Sequence, residues 1–193
     1  MLIRKKVIMT YCEYLKTLSG ENLELHKEYH DNHYGFPLYD DDKLFERLMF
    51  EVNQAGLSWI LILKKQNNFR AAFDNYNVEK VAFYGEKEIE TLLSNPGIIR
   101  NRLKIKATIQ NAKVILELRK EYGSFSNWLI QHSKESPSLE QWTKIFRKTF
   151  TFMGSEIVNE FLMSIGLLAG AHSPECPAFD KIQRLKKPIT GKI

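Results

Sequence analysis

The sequence has no long hydrophobic run. None of its apolar stretches approaches the roughly 20 residues that a membrane-spanning helix needs. The first ten residues are basic and then briefly apolar, and they lack the long apolar segment and the small-residue cleavage site of a secretory signal. We therefore expect no membrane partner, and the cytoplasm is the predicted compartment.

Cysteine is also scarce. Cys12 and Cys176 lie at opposite ends of the chain, and a disulfide between them is not expected in a reducing compartment. His30 follows the first cysteine, and His172 precedes the second by four residues. Four such ligands suit a tetrahedral zinc site that would tie the N-terminal segment to the C-terminus. Chance proximity of five histidines to two cysteines, with both thiols free and buried, is the open alternative.

Neither sign of charge dominates, although the balance is basic. A net charge of +5 favours a polyanionic partner only weakly, because a solvated basic surface explains it equally well. Basic residues that flank predicted turns are the candidate phosphate contacts, and they are Lys64, Lys65, Arg100, Arg102, Lys104 and Lys106.

Strand patterns are missing as well, and helical periodicity takes their place. No alternating pattern persists for more than a few residues, whereas apolar residues recur at helical spacing along most of the chain. We predict an all-α fold of about eight or more helices, with separate helices starting at Trp59 and at Asn67. Residues 1–10 are assigned to an N-terminal tail, 11–178 to one domain, and 179–193 to a basic C-terminal tail. The first 35 residues should be poor in helix, and the chain from Lys181 onward poorly ordered.

Residues 51–59 form the stretch around which we expect the site to be built. The pattern predicts a helix that ends near Glu51, a turn at Gly56, and a second helix that opens with Trp59. This arrangement would place a carboxylate and an aromatic ring on opposite walls of one slot, where Tyr29 and Trp59 could cage a flat cation. A partly exposed glutamate and two ordinary core aromatics are the alternative interpretation.

A second tight connection joins two predicted helices between Lys148 and Ser155. Backbone N–H groups at the start of the following helix point toward any bound anion, which suits a DNA phosphate. A packed helical hairpin without a ligand is equally consistent with the pattern.

Four blocks of sequence, in this order, resemble the 3-methyladenine DNA glycosylase I family, and the similarity extends from about residue 12 to residue 176. The blocks are residues 29–32, 54–59 with 63–65, 97–102 with 104–105, and 150–154. The resemblance implies a helix-hairpin-helix DNA glycosylase fold with one structural Zn²⁺ per chain. The implied zinc ligands are Cys12, His30, His172 and Cys176.

The resemblance also implies roles in binding the base and the DNA. Glu51 and Tyr29 would hydrogen-bond the methylated base, Trp59 would stack on it, and Tyr14 would be a further substrate-binding residue. The implied DNA contacts are Gly56 and Leu57, which would enter the gap left by a flipped nucleotide, and Gly154 and Ser155, which would hold a backbone phosphate.

The implied activity is hydrolytic release of 3-methyladenine from alkylated double-stranded DNA by a monofunctional enzyme that flips the base out of the duplex. Glu51 is the expected catalytic residue, chiefly as the group that binds the cationic base, and a monomer is expected. Several positions depart from the family pattern, namely Tyr14, His26, His33, Tyr34, Asn53, Thr149 and Asn159. They leave two alternatives: a diverged paralogue for another alkylated base, or a zinc-stapled DNA-binding module without hydrolase activity.

Overall fold

Helices account for all the regular structure within residues 9–185, the part of the chain that the computed structural model describes. This part contains eleven α-helices, one short 3₁₀ helix and no strand, which confirms the predicted all-α fold. The α-helices are α1 (Tyr11–Leu15), α2 (Gly20–Asn32), α3 (Asp41–Gln54), α4 (Trp59–Ala72), α5 (Val78–Ala82), α6 (Glu86–Ser94), α7 (Arg102–Tyr122), α8 (Phe125–Ser133), α9 (Leu139–Thr149), α10 (Ser155–Ser164) and α11 (Pro177–Leu185).

Helix α3 is the central element. Asp40 caps it, since its Oδ1 accepts a hydrogen bond of 2.9 Å from the Lys43 backbone N–H. Ten of the fourteen residues of α3 are buried, because α4, α7, α8 and α10 pack around it. A helix enclosed in this way carries its polar residues into the interior, and Glu51 is one of them.

The N-terminal segment is helical, so the prediction of a helix-poor start is wrong. Thr10 and Glu13 form a reciprocal cap at the start of α1. The thirteen residues of α2 then bury His26, Tyr29 and His30. These residues follow the three- and four-residue spacing of a helix, but they are polar or aromatic. Periodicity judged on aliphatic residues therefore missed this helix.

Helix α4 runs without a break from Trp59 to Ala72, so the prediction of separate helices starting at Trp59 and Asn67 is wrong. The polar run that suggested a break, residues 64–68, continues the same helix for more than one turn, and none of its residues is buried. Ile62, Leu63 and Phe69 form its buried side. The 3₁₀ helix Asp74–Tyr76 follows, and its three residues have positive φ angles of 50° to 57°.

The predicted domain boundary after residue 178 falls inside α11. Ala178 and Ile182 are buried, and α11 packs against α2. The prediction of poor order from Lys181 onward is therefore wrong as far as Leu185. The rest of the predicted C-terminal tail and most of the N-terminal tail lie outside the described residues. Between residues 9 and 185 no helix is both long and apolar enough to cross a membrane.

Candidate active site

Two cysteines and two histidines from opposite ends of the chain meet in one cluster. The ligand atoms of Cys12, His30, His172 and Cys176 all lie within 4.8 Å of one another. The four sulfur–nitrogen distances between them are 3.3, 3.4, 3.9 and 3.9 Å. A tetrahedral zinc ion with its usual bond lengths places sulfur and nitrogen ligands about 3.6 Å apart. These residues therefore have the chemistry and the spacing to hold a metal ion.

Hydrogen bonds around the cluster orient both imidazole rings. Nδ1 of His30 lies 2.7 Å from an Asp31 carboxylate oxygen, which leaves Nε2 facing the cluster. His172 is reversed, because its Nε2 lies 2.7 Å from the Tyr34 carbonyl oxygen and its Nδ1 faces the cluster. Partners of this kind are typical of metal-ligating histidines, since they fix the ring and its tautomer.

A cavity of about 580 Å³ contains all four residues predicted to contact a base. Tyr14, Tyr29, Glu51 and Trp59 line it together. Aromatic side chains from α1, α2 and α4 form one part of the wall, and carboxylates from α3 and α10 form another. The structure thus brings the predicted aromatic rings and the predicted carboxylate to one place.

Tyr29 and Trp59 form the aromatic part of the wall. Their ring centroids are 5.0 Å apart, with 60° between the ring planes. The hydroxyl of Tyr29 is buried and has no hydrogen-bond partner within residues 9–185, and the same holds for Nε2 of His26. A buried polar atom without a partner costs about 1–3 kcal/mol. A ligand that hydrogen-bonds these atoms would recover that free energy, so the wall favours a flat, polar ligand.

Glu51 supplies a deeply buried carboxyl group. Its side chain is 4% exposed, so the interpretation of a partly exposed glutamate is wrong. Burial, followed by the negative charge of Glu160, raises the pKa of Glu51 from 4.5 to about 8, while the positive charge of Arg47 opposes the rise. In the free protein at neutral pH this carboxyl group is therefore mostly protonated. A cation in the cavity would favour its ionised form.

The turn between α3 and α4 projects Gly56 and Leu57 outward, and neither residue lines the cavity. Gly56 adopts φ +80°, which favours glycine, and nothing lies within 4 Å of the position of a Cβ atom. Leu57 is 36% exposed, and its N–H donates to the Gln54 carbonyl at 2.7 Å. An exposed apolar side chain therefore stands at the tip of a hydrogen-bonded turn.

Lys104 fixes the base of this turn. Its Nζ donates to the carbonyls of Asn53 and Ala55 at 2.8 and 2.7 Å. These carbonyls lie at the C-terminal end of α3, where intrahelical partners are missing. The prediction of Lys104 as a phosphate contact is wrong, because its side chain is used in this way and the residue is only 5% exposed.

Other predicted phosphate contacts also have partners inside the chain. Lys65 Nζ donates to the carbonyls of Pro96 and Gly97, both at 3.0 Å. Arg102 pairs with two glutamates of α6, and Lys64 pairs with a glutamate of α2. Basic residues beside turns in this sequence therefore serve in large part to connect helices.

Residues 150–154 join α9 to α10 in a hairpin. Thr151 is clamped by the buried Asn111, whose Oδ1 accepts from the Thr151 N–H at 2.8 Å and whose Nδ2 donates to the Thr151 carbonyl at 3.2 Å. Gly154 is the N-cap of α10, and Ser155 is its exposed first residue. Neither lines the cavity. The start of α10 is thus presented to the surface by a fixed connection.

Comparison with known proteins places these features in a family. A family model described as methyladenine glycosylase matches residues 20–147. The chain belongs to the methyladenine glycosylase family. The match contains Tyr29, Glu51 and Trp59, whereas the hairpin and the two C-terminal cluster residues lie beyond it.

The curated relatives of the chain include methyladenine glycosylases. DNA-3-methyladenine glycosylase 1 of Escherichia coli (strain K12) is 35% identical over 161 residues, which cover 75% of this chain and 86% of that protein. The DNA-3-methyladenine glycosylase of Haemophilus influenzae is 33% identical over 167 residues, which cover 78% of this chain and 90% of that protein.

Solved structures of methyladenine glycosylases have the same fold. 3-Methyladenine DNA glycosylase I of Staphylococcus aureus superposes with a TM-score of 0.73 at 32% identity, and the match covers 80% of this chain and 90% of that one. A single-substitution variant of 3-methyladenine DNA glycosylase I in complex with 3-methyladenine gives a TM-score of 0.76 at 30% identity, covering 85% and 95%. The all-α fold of 3-methyladenine DNA glycosylase I, implied by the resemblance, is thereby confirmed.

Three titratable residues that line the cavity were given no place in the site from the sequence. Tyr11, Glu156 and Glu160 line it. The two glutamates stand four residues apart on α10, a helix whose buried residues are mostly apolar. A glutamate placed between apolar residues of a predicted helix was the one sequence feature that could have pointed to these two residues. Its interpretation required knowing that this side of α10 faces α3.

Proposed function

We propose that this chain is a DNA repair glycosylase that flips 3-methyladenine out of alkylated DNA and releases it by hydrolysis of the glycosidic bond. The observation that carries the proposal is the buried carboxyl group of Glu51, which lines the same cavity as the Tyr29–Trp59 pair. The proposal is supported by family membership and by relatives that are DNA-3-methyladenine glycosylases.

Charge gives the cavity a way to select its base. Adenine alkylated at N3 within DNA carries a positive charge, whereas unmodified adenine is neutral. Ionised Glu51 is disfavoured in the free protein, because its pKa is raised to about 8. A cationic base stabilises the ionised form and donates charge-assisted hydrogen bonds to it. Neutral adenine offers no such compensation, so it is bound more weakly.

The positive charge of the alkylated base also weakens the glycosidic bond that is to be cleaved. Trp59 stacks on the extruded base, and the Tyr29 hydroxyl gains a hydrogen-bond partner. The bond between the sugar and the base breaks with its electron pair going to the base, which leaves as neutral 3-methyladenine. Water attacks the sugar carbon and loses a proton. Glu51 acts by binding the cationic base, and we assign no general base.

The DNA backbone is held outside the cavity. Leu57, at the tip of the Gly56 turn, fills the gap that the flipped nucleotide leaves, and the carbonyl contacts of Lys104 keep the turn in place. Gly154 and Ser155 present the first backbone N–H groups of α10 to a phosphate. Support for this assignment comes from the exposure of Leu57 and from the Asn111 clamp on the hairpin.

The metal bound by Cys12, His30, His172 and Cys176 is one structural Zn²⁺ per chain. Two thiolates and two imidazoles complete a tetrahedron without an open position, which is typical of zinc that stabilises a fold. The cluster links α1 and α2 to the loop before α11, so it supports the aromatic wall of the cavity. A monomer and a cytoplasmic location stay predictions.

A glycosylase for a different alkylated base is the second candidate. It is favoured by Tyr34, which departs from the family pattern and contacts Glu160 in the cavity. Duplex DNA treated with a methylating agent contains both 3-methyladenine and 7-methylguanine, so one digest tests both candidates. Released bases are separated by chromatography. Release of 3-methyladenine supports the proposal, and release of another base in its place supports the second candidate. Binding without any release favours the non-catalytic module.

A further inference from the structure

We infer that Glu160 is a second substrate-binding carboxylate, held in position by Tyr34, and that it acts with Glu51 to restrict the cavity to positively charged bases. This inference rests on the proposed glycosylase activity, because the alkylated base of that reaction is the cation concerned. Glu160 lies on α10 and Glu51 on α3, and both line the cavity.

The position of Glu160 is fixed from outside its own helix. The Tyr34 hydroxyl donates to Glu160 Oε2 at 3.0 Å. Tyr34 is itself buried, and its carbonyl oxygen lies 2.7 Å from Nε2 of His172 in the metal-ligand cluster. The carboxylate therefore has one oxygen anchored through a rigid residue. Among the described residues, its other oxygen has only a long contact, 3.4 Å, with the side-chain amide of the neighbouring Asn159.

The hydrogen bond that the Tyr34 hydroxyl donates to Glu160 favours the ionised carboxylate, which accepts hydrogen bonds and cannot donate them. Burial raises the pKa of Glu160, whereas the hydrogen bond from Tyr34 lowers it. The negative charge of Glu160 also disfavours the ionised form of Glu51. Two carboxyl groups that oppose each other's ionisation are poorly satisfied by a neutral ligand. A cation between them stabilises both charges at once.

Hydrogen bonding alone does not give this selectivity. The exocyclic amine of neutral adenine can also donate to a single carboxylate, so the presence of an N–H donor does not by itself distinguish the two bases. The positive charge of the alkylated base is spread over its ring, so every nearby carboxylate senses it. A second carboxylate therefore increases the preference for the cation without requiring a further N–H donor.

Glu156 offers a matched control. It lies one turn before Glu160 on α10 and lines the same cavity, but its side chain is exposed to solvent. Solvent screens its charge, although that charge still contributes to raising the pKa of Glu160. Within residues 9–185 Glu156 has no anchor comparable to Tyr34. If general negative potential were sufficient, Glu156 and Glu160 would contribute alike.

The test measures binding of two small probes to the full-length, zinc-loaded protein by calorimetry. The probes are 3,9-dimethyladeninium, a permanent cation, and neutral 9-methyladenine. We expect Glu160→Gln to reduce the preference for the cation about tenfold or more, and Glu156→Gln to change it by less than about threefold. An unchanged preference in Glu160→Gln, or an equal loss in both variants, overturns the inference.

Tyr34→Phe provides a second variant that keeps the charge of Glu160. We expect it to lose part of the cation preference, and the double variant with Glu160→Gln to lose no more than Glu160→Gln alone. Additive losses would overturn the positioning role of Tyr34. Zinc content and melting temperature establish that each variant is folded.

Release of base from methylated DNA by the wild type, measured on the same preparation, separates this inference from the proposed function. Release that occurs while Glu160→Gln keeps its cation preference overturns the inference alone. Absence of release by the wild type overturns the proposed function, whatever the probes show.

Discussion

Glu51→Gln should make the protein more stable, and the gain should grow with pH. The carboxyl group ionises near pH 4.5 in the unfolded chain, whereas its pKa in the folded protein is about 8. Folding therefore favours the protonated form. The stability that this form provides is fully present below about pH 4.5 and is lost as pH rises through about 8. Glutamine keeps the shape of the side chain and does not titrate.

The structure sets the size of the effect. The rise in the pKa of Glu51 from 4.5 to about 8 corresponds to at most about 5 kcal/mol of unfolding free energy, at roughly 1.4 kcal/mol for each pKa unit. Relaxation around the charge reduces this, so we expect a gain of about 2–4 kcal/mol near pH 8 relative to the difference near pH 5. The glutamine amide adds an offset that does not depend on pH, so the slope is the quantity to measure.

Urea denaturation of wild type and variant, from about pH 5 to about pH 8 with saturating zinc, provides the assay. Both proteins contain the same metal-ligand cluster. The pH dependence of metal binding therefore cancels when the unfolding free energy of the wild type is subtracted from that of the variant. Glu117→Gln is the control, because the Glu117 side chain is 70% exposed. Parallel stability curves for wild type and Glu51→Gln would refute the reasoning, since they would mean that Glu51 ionises alike in the folded and unfolded states.

Three further outcomes are expected. Cys176→Ser should lower zinc content and reduce the melting temperature, because a structural metal contributes directly to folding; metal analysis that finds full occupancy and unchanged stability would contradict the assignment. The kcat/KM for base release should rise about tenfold per pH unit below about pH 8 and should lose most of this rise in Glu51→Gln, since kcat/KM reports the free enzyme; a flat wild-type profile argues against ionised Glu51. Lys104→Met should cost about 1–3 kcal/mol and speed hydrogen exchange in residues 53–57, because two carbonyls lose their partner; unchanged exchange there would show that the lysine does not fix the turn.

Helices with aliphatic faces could be predicted from the sequence. The apolar spacing of α3 and α7 is visible without a structure, and Gly123 ends α7 with φ +82°, as its position after the last periodic residue predicts. Helix α2 could not be recognised in this way, because it buries histidines and a tyrosine in a cavity wall and a metal-ligand cluster. Its periodicity is set by the site that it builds.

Long-range partners account for the other errors. A lysine beside a turn resembles a phosphate contact, and only the packing of α7 against α3 shows that Lys104 caps that helix. Glu160 likewise needs the packing of α10 against α3 before it can be placed beside Glu51. The cysteines and histidines were found from their residue types and from the family resemblance, whereas their spacing alone left coincidence open. Their separation along the chain carries no geometric information.

The decisive experiment compares wild type and Glu51→Gln for release of free 3-methyladenine from methylated duplex DNA in single-turnover reactions, with DNA binding measured in parallel. We expect the wild type to release 3-methyladenine. The variant should bind DNA within about threefold of wild type, because phosphate contacts dominate affinity, and should release base at least about a hundredfold more slowly. Release by the variant at the wild-type rate, or no release by the zinc-loaded wild type, would contradict the role that we assign to the Glu51 cavity.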